Sequence, residues 1–255
     1  GAGLATCLSN CIACLFFAAV LVRMGRGSVI SFRITAGLPQ RENILAVFGV
    51  GIPSAIASFL FDLDYVIIDK LMVAYSEVSL AAIGIVLKVE RLPLNVGVGI
   101  CQGMMPLVAY NYSSKNHTRM NSVIKNARNL GLAVAAVSIV LYEALAPVIV
   151  EFFISDGATV ALATDFLRAR VLATPLMFMS FFTVYLFQSF GLGNKSLFLA
   201  VMRWGVFNIP MLFLLDTVFG MYGIVWSQVA ADTLTVLLSL YVYESYKKKH
   251  LKILK

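Results

Sequence analysis

Lys115–Thr159 reads KNHTRMNSVIKNARNLGLAVAAVSIVLYEALAPVIVEFFISDGAT. Its opening carries Lys115, Arg119, Lys125 and Arg128. Then Leu130–Ile154 runs apolar, interrupted only by Glu143 and Glu151, and Ser155–Thr159 holds no Lys or Arg. A helix needs roughly 20 apolar residues to cross the hydrocarbon of a bilayer. This stretch is such a helix with positive charge on one side and none on the other.

Outward from it the same unit repeats. Seven apolar segments lie at Gly1–Val22, Ile44–Met72, Val78–Tyr110, Leu130–Ile154, Ala161–Leu192, Leu197–Val218 and Tyr222–Tyr243. Of the 20 Lys and Arg, all but Lys70, Lys88, Arg91, Arg168 and Arg170 fall in alternate connections or the tail. The first connection holds Arg23, Arg26, Arg33 and Arg41, and the fifth is assigned Lys195 and Arg203, the latter in the opening turns of the next segment. The tail holds Lys247, Lys248, Lys249, Lys252 and Lys255. Val73–Glu77, Ser155–Thr159 and Phe219–Met221 hold none. Positive residues mark the cytoplasmic side, so the pattern predicts a cytoplasmic C-terminus. The expectation is an all-α polytopic membrane protein of about seven transmembrane helices, with the lipid bilayer as its first partner. Composition agrees: 60% of the 255 residues are hydrophobic and 13% charged, about half the charged share of a soluble domain. The net charge of +7 is therefore topological, and no soluble basic face with aromatics offers itself to nucleic acid.

Residues 1–22 open inside an apolar run without a basic segment ahead, unlike a signal peptide. They read as the final helix of a preceding lobe absent from this chain. Residues 23–43, with Gly25, Gly27, Gly37 and Pro39, read as a cytoplasmic linker. Residues 44–246 read as a six-helix lobe, and 247–255 as a basic cytoplasmic tail. Cys7, Cys11, Cys14 and Cys101 all sit in spans and read as packing residues, since no His accompanies them. No metal site is expected. Pro53, Pro93, Pro106, Pro147, Pro175 and Pro210 recur inside spans, where proline often marks a kink beside a cavity. Gly97/Cys101 and Gly99/Gly103 form small-xxx-small pairs that let helices approach closely.

Ionisable residues inside spans are expensive and point to function. The second span holds FDLDYVIIDK with Asp62, Asp64, Asp69 and Lys70; the third holds KVER with Lys88, Glu90 and Arg91. The two spans are antiparallel neighbours, so Asp62 or Asp64 can pair with Lys88 or Arg91. Asp62 and Asp69 share a face with Tyr65 between them. Asp64 points away, roughly 160° from Asp62. Asp62, Asp64 and Glu90 are the candidates for cation coupling, with Lys88 and Arg91 as charge partners; the competing reading is an ion pair that only locks two helices. Asp232, in QVAADTLT, reads as a hydrogen-bonding anchor to a neighbouring helix. Met177, Phe181, Tyr185 and Gln188 in the fifth span, with Tyr65, are candidates for a substrate cavity, because Met and aromatic surfaces adapt to greasy ligands. The same residues also pack ordinary helices. There is no Walker A run, no paired His with Glu and no Gly-x-Ser-x-Gly, so an enzyme is not expected.

Three stretches carry a family resemblance. In Gly99–Arg119 they are Pro106, Tyr110, Asn111, Tyr112, Lys115 and Asn116. In Phe187–Arg203 they are Gln188, Gly191, Gly193 and Lys195. In Asn208–Asp232 they are Pro210, Phe219–Gly223, Ala231 and Asp232. In order and spacing these resemble the multidrug and toxic-compound extrusion (MATE) family. The resemblance implies the C-terminal half of a twelve-span bacterial transporter in the cytoplasmic membrane, with two six-helix lobes around a cavity. It implies exchange of Na⁺ or H⁺ for organic cations or drugs, with no other cofactor. It also implies an acidic residue for coupling in the span that holds Asp62 and Asp64. A lipid-linked oligosaccharide flippase of the same superfamily is the alternative; it calls for basic residues lining the cavity.

Overall fold

The structure, a computed structural model, describes residues 2–24 and 41–248. The linker expected over residues 23–43 and the tail over 247–255 lie mostly outside the described residues. Two compact units are formed, Gly1–Leu45 and Ala46–Lys255. The first unit's helix α1 (Ala2–Met24) is mostly apolar, and Cys7, Cys11 and Cys14 are exposed on it.

Helix α2 (Arg41–Tyr75) leads into the second unit. α3 (Glu77–Ser113), α4 (His117–Glu151), α5 (Gly157–Val171) and α6 (Thr174–Ser189) follow. α7 (Gly193–Val201), a π-helical stretch (Met202–Asn208), α8 (Ile209–Phe219) and α9 (Met221–Tyr246) complete it. Among the described residues, six helices are long and apolar enough to cross a membrane, or seven if the bent pair α5–α6 is one span. The seven-segment reading therefore stands with one correction of shape. The segment Ala161–Leu192 is two helices, bent by 48°. Pro175 sits in the first turn of α6. Its ring cannot follow helical residues without a clash, while the first turn tolerates its missing N–H.

The turns are chemically specified. Ser76 caps α3 by accepting the Ser79 N–H at 3.0 Å, Asn116 caps α4 by accepting the Arg119 N–H at 3.1 Å, and Asp156 caps α5 by accepting the Thr159 N–H at 3.0 Å. Each side chain satisfies a donor that the helix start leaves open. Gly220, between α8 and α9, has φ +60°, a backbone that favours glycine. Three residues on, a Cβ at Gly223 would lie 1.9 Å from the Leu215 carbonyl oxygen. The Phe-Gly-x-x-Gly run is thus one glycine for the turn and one for helix contact.

Contacts fix which ends meet. At one end Tyr75 donates to the Asp216 carboxylate. At the other Tyr112 and Tyr246 share a hydrogen bond of 3.1 Å, and the Lys195 ammonium lies 4.2 Å from the Tyr246 ring centre. That second end carries Lys115, Arg119, Lys195 and Lys247 and is the basic end. In the middle, the Phe178 ring of α6 fills a slot between α3 and α4. A Cβ at Gly97 would stand 3.0 Å from that ring, and one at Gly131 only 1.9 Å. Of the two small-residue pairs, Gly97/Cys101 is buried; Gly99 and Gly103 are exposed and pack nothing closely.

Candidate functional site

Five charged side chains meet inside the second unit. Helix α2 delivers Asp64, 1% exposed, and α3 delivers Glu90, 4% exposed. α5 contributes Arg170, the π-helical stretch Arg203 and Asn208, and α9 Asp232 and Gln228, all buried. Arg170 grips Glu90 with two hydrogen bonds, Nε to Oε2 at 2.6 Å and an Nη to Oε1 at 3.3 Å. Arg203 Nε donates to Asp232 Oδ1 at 2.8 Å, and Gln228 Nε2 donates to the second oxygen at 2.6 Å. Both pairs join a planar cation to a carboxylate with the geometry that makes burial tolerable.

Asp64 is different. Its one hydrogen bond comes from a neutral group, Asn208 Nδ2, at 2.6 Å. Its other oxygen, Oδ2, is buried with no hydrogen-bond partner among the described residues, as are Asn208 Oδ1, Arg170 Nη1 and Arg203 Nη2. Arg170 and Arg203 both act electrostatically on Asp64. With Glu90 and Asp232 neutralised by their own arginines, Asp64 is the one of these three buried carboxylates with no dedicated counter-ion among the described residues.

The expected pairing of Asp62 or Asp64 with Lys88 or Arg91 is not formed. Asp62 and Lys88 are both exposed. On α3, Lys88 points roughly 160° away from Glu90, so when Glu90 faces Arg170, Lys88 must face outward. Arg91 is exposed too and lies against aromatic rings, its guanidinium carbon 4.6 Å from the Tyr65 ring centre and 5.8 Å from that of Phe61. Sequence reasoning misses Arg170, Arg203 and Asn208 as partners. Charge patterning assigns Arg203 to a basic connection, but Gly193–Phe219 is one continuous helical run and Arg203 is 2% exposed within it. Asp232 does anchor a neighbouring helix, as expected.

Beside this cluster lies a cavity of about 220 Å³. Phe181, Tyr185 and Gln188 line it, together with Phe61, Arg91, Asn95, Arg203 and Trp204. Met177 does not reach it: Met177 is buried with Leu94 and Trp204 behind the wall. Tyr65 is 9% exposed and stacks edge-on against Phe61 at 4.8 Å rather than lining the space. Phe61 meets Trp204 edge-on at 5.0 Å, and Arg203 is stacked 4.2 Å from Trp204 and 4.4 Å from Phe181. The wall is thus aromatic, with the guanidinium groups of Arg91 and Arg203 set into it. Among the described residues, no group of three or more His, Cys, Asp or Glu is arranged to hold a metal ion.

A bundle of membrane-length helices around a neutralised charge cluster and one surplus carboxylate defines an α-helical membrane protein with a polar interior. The MatE family model matches residues 53–214, and the chain belongs to that family. It is 29% identical over 242 residues to the multidrug export protein MepA of Staphylococcus saprophyticus. It is 30% identical over 243 residues to MepA of Staphylococcus aureus strain MRSA252. Each match covers 95% of this chain and 53% of the relative, so the chain spans about half the length of the curated relatives it matches. A multidrug resistance MATE family transporter of the MOP superfamily, solved in an outward-facing conformation, superposes with a TM-score of 0.86 over 97% of this chain and 55% of that one, at 18% identity. The Vibrio cholerae MATE transporter VcmN, in its bent form, gives 0.82 over 91% of this chain and 53% of that one, at 15% identity.

Proposed function

We propose that this chain forms one lobe of an ion-coupled multidrug exporter of the bacterial cytoplasmic membrane, working with a second lobe of the same transporter. The observation that carries the reading is Asp64, a buried carboxylate with no guanidinium of its own, set behind an aromatic cavity. Two relatives that match 95% of the chain are multidrug export proteins, which supports the substrate class. The aromatic wall suits flat, drug-like molecules that stack on Phe61, Phe181 or Trp204.

Asp64 serves as the coupling group, and Glu90, engaged by Arg170, serves as a structural acid. Asp62, exposed, takes no part. The exchanged ion is a proton rather than Na⁺. Two arginines already act on this carboxylate, and their positive charge disfavours a metal cation beside it. Gain and loss of a proton at Asp64 change whether Asn208 faces a charged or a neutral partner. That gives α2 and the α7–α8 run two arrangements of differing energy, which alternating access requires.

The test is ethidium efflux from cells expressing the two-lobed transporter, with pH and Na⁺ gradients imposed separately. Efflux should follow the pH gradient and fall at least about a hundredfold in Asp64→Asn, while Asp62→Asn stays near wild type. Wild-type efflux from Asp64→Asn would remove the coupling assignment. No efflux under either gradient would favour the flippase, for which Arg91 and Arg203 on the cavity wall are the specific support.

A further inference from the structure

A second groove, unconnected with the charge cluster, opens at the basic end between α4, α6 and α9. Its volume is about 290 Å³. The floor is apolar: Met179, Phe182 and Leu186 of α6, spaced so that they share one helix face. The rim is cationic. Lys125 and Arg128, one turn apart on α4, stand on one side, and Lys247, just past the end of α9, on the other. Glu244 is the only acid in the lining. Among the described residues, no carboxylate lies within ion-pair distance of Lys125, Arg128 or Lys247. Helix α6 packs against both α4 and α9, so the floor is held by the fold itself.

We infer that this groove binds an anionic phospholipid from the leaflet at the basic end. The phosphate sits among Lys125, Arg128 and Lys247, and an acyl chain lies along Met179, Phe182 and Leu186. The pairing of surfaces selects the ligand class. A free phosphate would leave the apolar floor uncovered, and a neutral hydrocarbon would leave the rim's net positive charge uncompensated. An amphiphile with a negative head answers both, and basic pockets between transmembrane helices commonly take such headgroups. The rim's net excess of two positive charges matches one or two phosphodiesters.

The experiment is native mass spectrometry of the purified chain in neutral detergent, with phosphatidylglycerol and phosphatidylcholine of identical acyl chains. Phosphatidylglycerol adducts should survive activation energies that strip phosphatidylcholine. The variant Lys125→Gln/Arg128→Gln/Lys247→Gln should lose retention by on the order of tenfold or more. The variant Lys115→Gln/Arg119→Gln, which removes charge from the same end but outside the groove, should retain lipid as wild type does. Helical circular dichroism of both variants confirms that they fold; if the triple variant does not, Arg128→Gln alone carries the test with a smaller loss. Equal retention of the two lipids, or an equal loss in the Lys115/Arg119 variant, would overturn the proposal. Displacement of phosphatidylglycerol by excess inorganic phosphate alone would also overturn it, reassigning the rim to a free anion.

Discussion

Glu90 and Asp64 lie in the same bundle and are similarly buried, yet they face different chemistry. Glu90 meets a guanidinium that grips both of its oxygens. Asp64 meets one amide N–H and leaves an oxygen bare. Asp232 sides with Glu90, held by Arg203 and Gln228. A carboxylate clamped by its own arginine leaves a bare buried cation behind if the pair is broken. One held only by an amide can change charge without stranding a cation. Burial alone therefore does not single out a coupling residue; the identity of the partner does.

The contrast can be broken most severely at the clamped pair. Glu90→Ala or Arg170→Ala leaves one buried charge unmatched and should destabilise the lobe by about 3–5 kcal/mol, read from unfolding in mixed micelles. The paired replacement Glu90→Leu with Arg170→Met should recover most of that loss, because a well-packed apolar pair of similar volume is often no worse than a buried ion pair. Failure to recover would mean that the pair does more than hold α3 to α5. A milder probe is Arg203→Lys, which keeps the charge but loses the planar fork and the stacking on Phe181 and Trp204; about 1–2 kcal/mol is expected in the same assay. Asp64→Asn should change stability by less than about 1 kcal/mol, since an amide can still bond Asn208. A large loss there would place Asp64 with the structural acids.

The smallest effect lies outside the membrane helices, at the Asp156 cap. The Thr159 hydroxyl and then the Thr159 N–H donate to this carboxylate and hold its pKa below the usual value. Its contribution is therefore fully present above the ordinary carboxylate pKa of about 3.9 and is lost as pH falls through the lower, folded value. Asp156→Asn, which can still cap, should remove that acid-side dependence from a pH series of melting temperatures.

Much of this is legible in one dimension. Alternating basic connections count the spans, and the Pro106–Asn116, Gln188–Lys195 and Pro210–Asp232 runs lead to the family. The helical wheel separates Asp62 from Asp64 but cannot say which side meets the bundle, because that depends on where α8 lies. Arg170 and Arg203 escape notice for a different reason. The packing of α5 on α3 faces an arginine near a span's edge inward toward Glu90, and the unbroken run through Met202–Asn208 carries another inside from an apparent connection. Both are tertiary events, and spacing within one helix carries no trace of them. Met177 is a reasonable cavity candidate by composition, yet it sits behind the wall that Phe181 and Trp204 form.

The ring of Phe178, lodged where side chains at Gly97 and Gly131 would collide with it, couples the histories of three positions far apart in sequence. A lineage cannot enlarge residue 131 while residue 178 stays aromatic, nor shrink residue 178 without opening a void that residues 97 and 131 could then grow to fill. Substitutions at these sites should travel together through evolution, and a designer who grafts α6 from one relative into another must carry the two glycines with it.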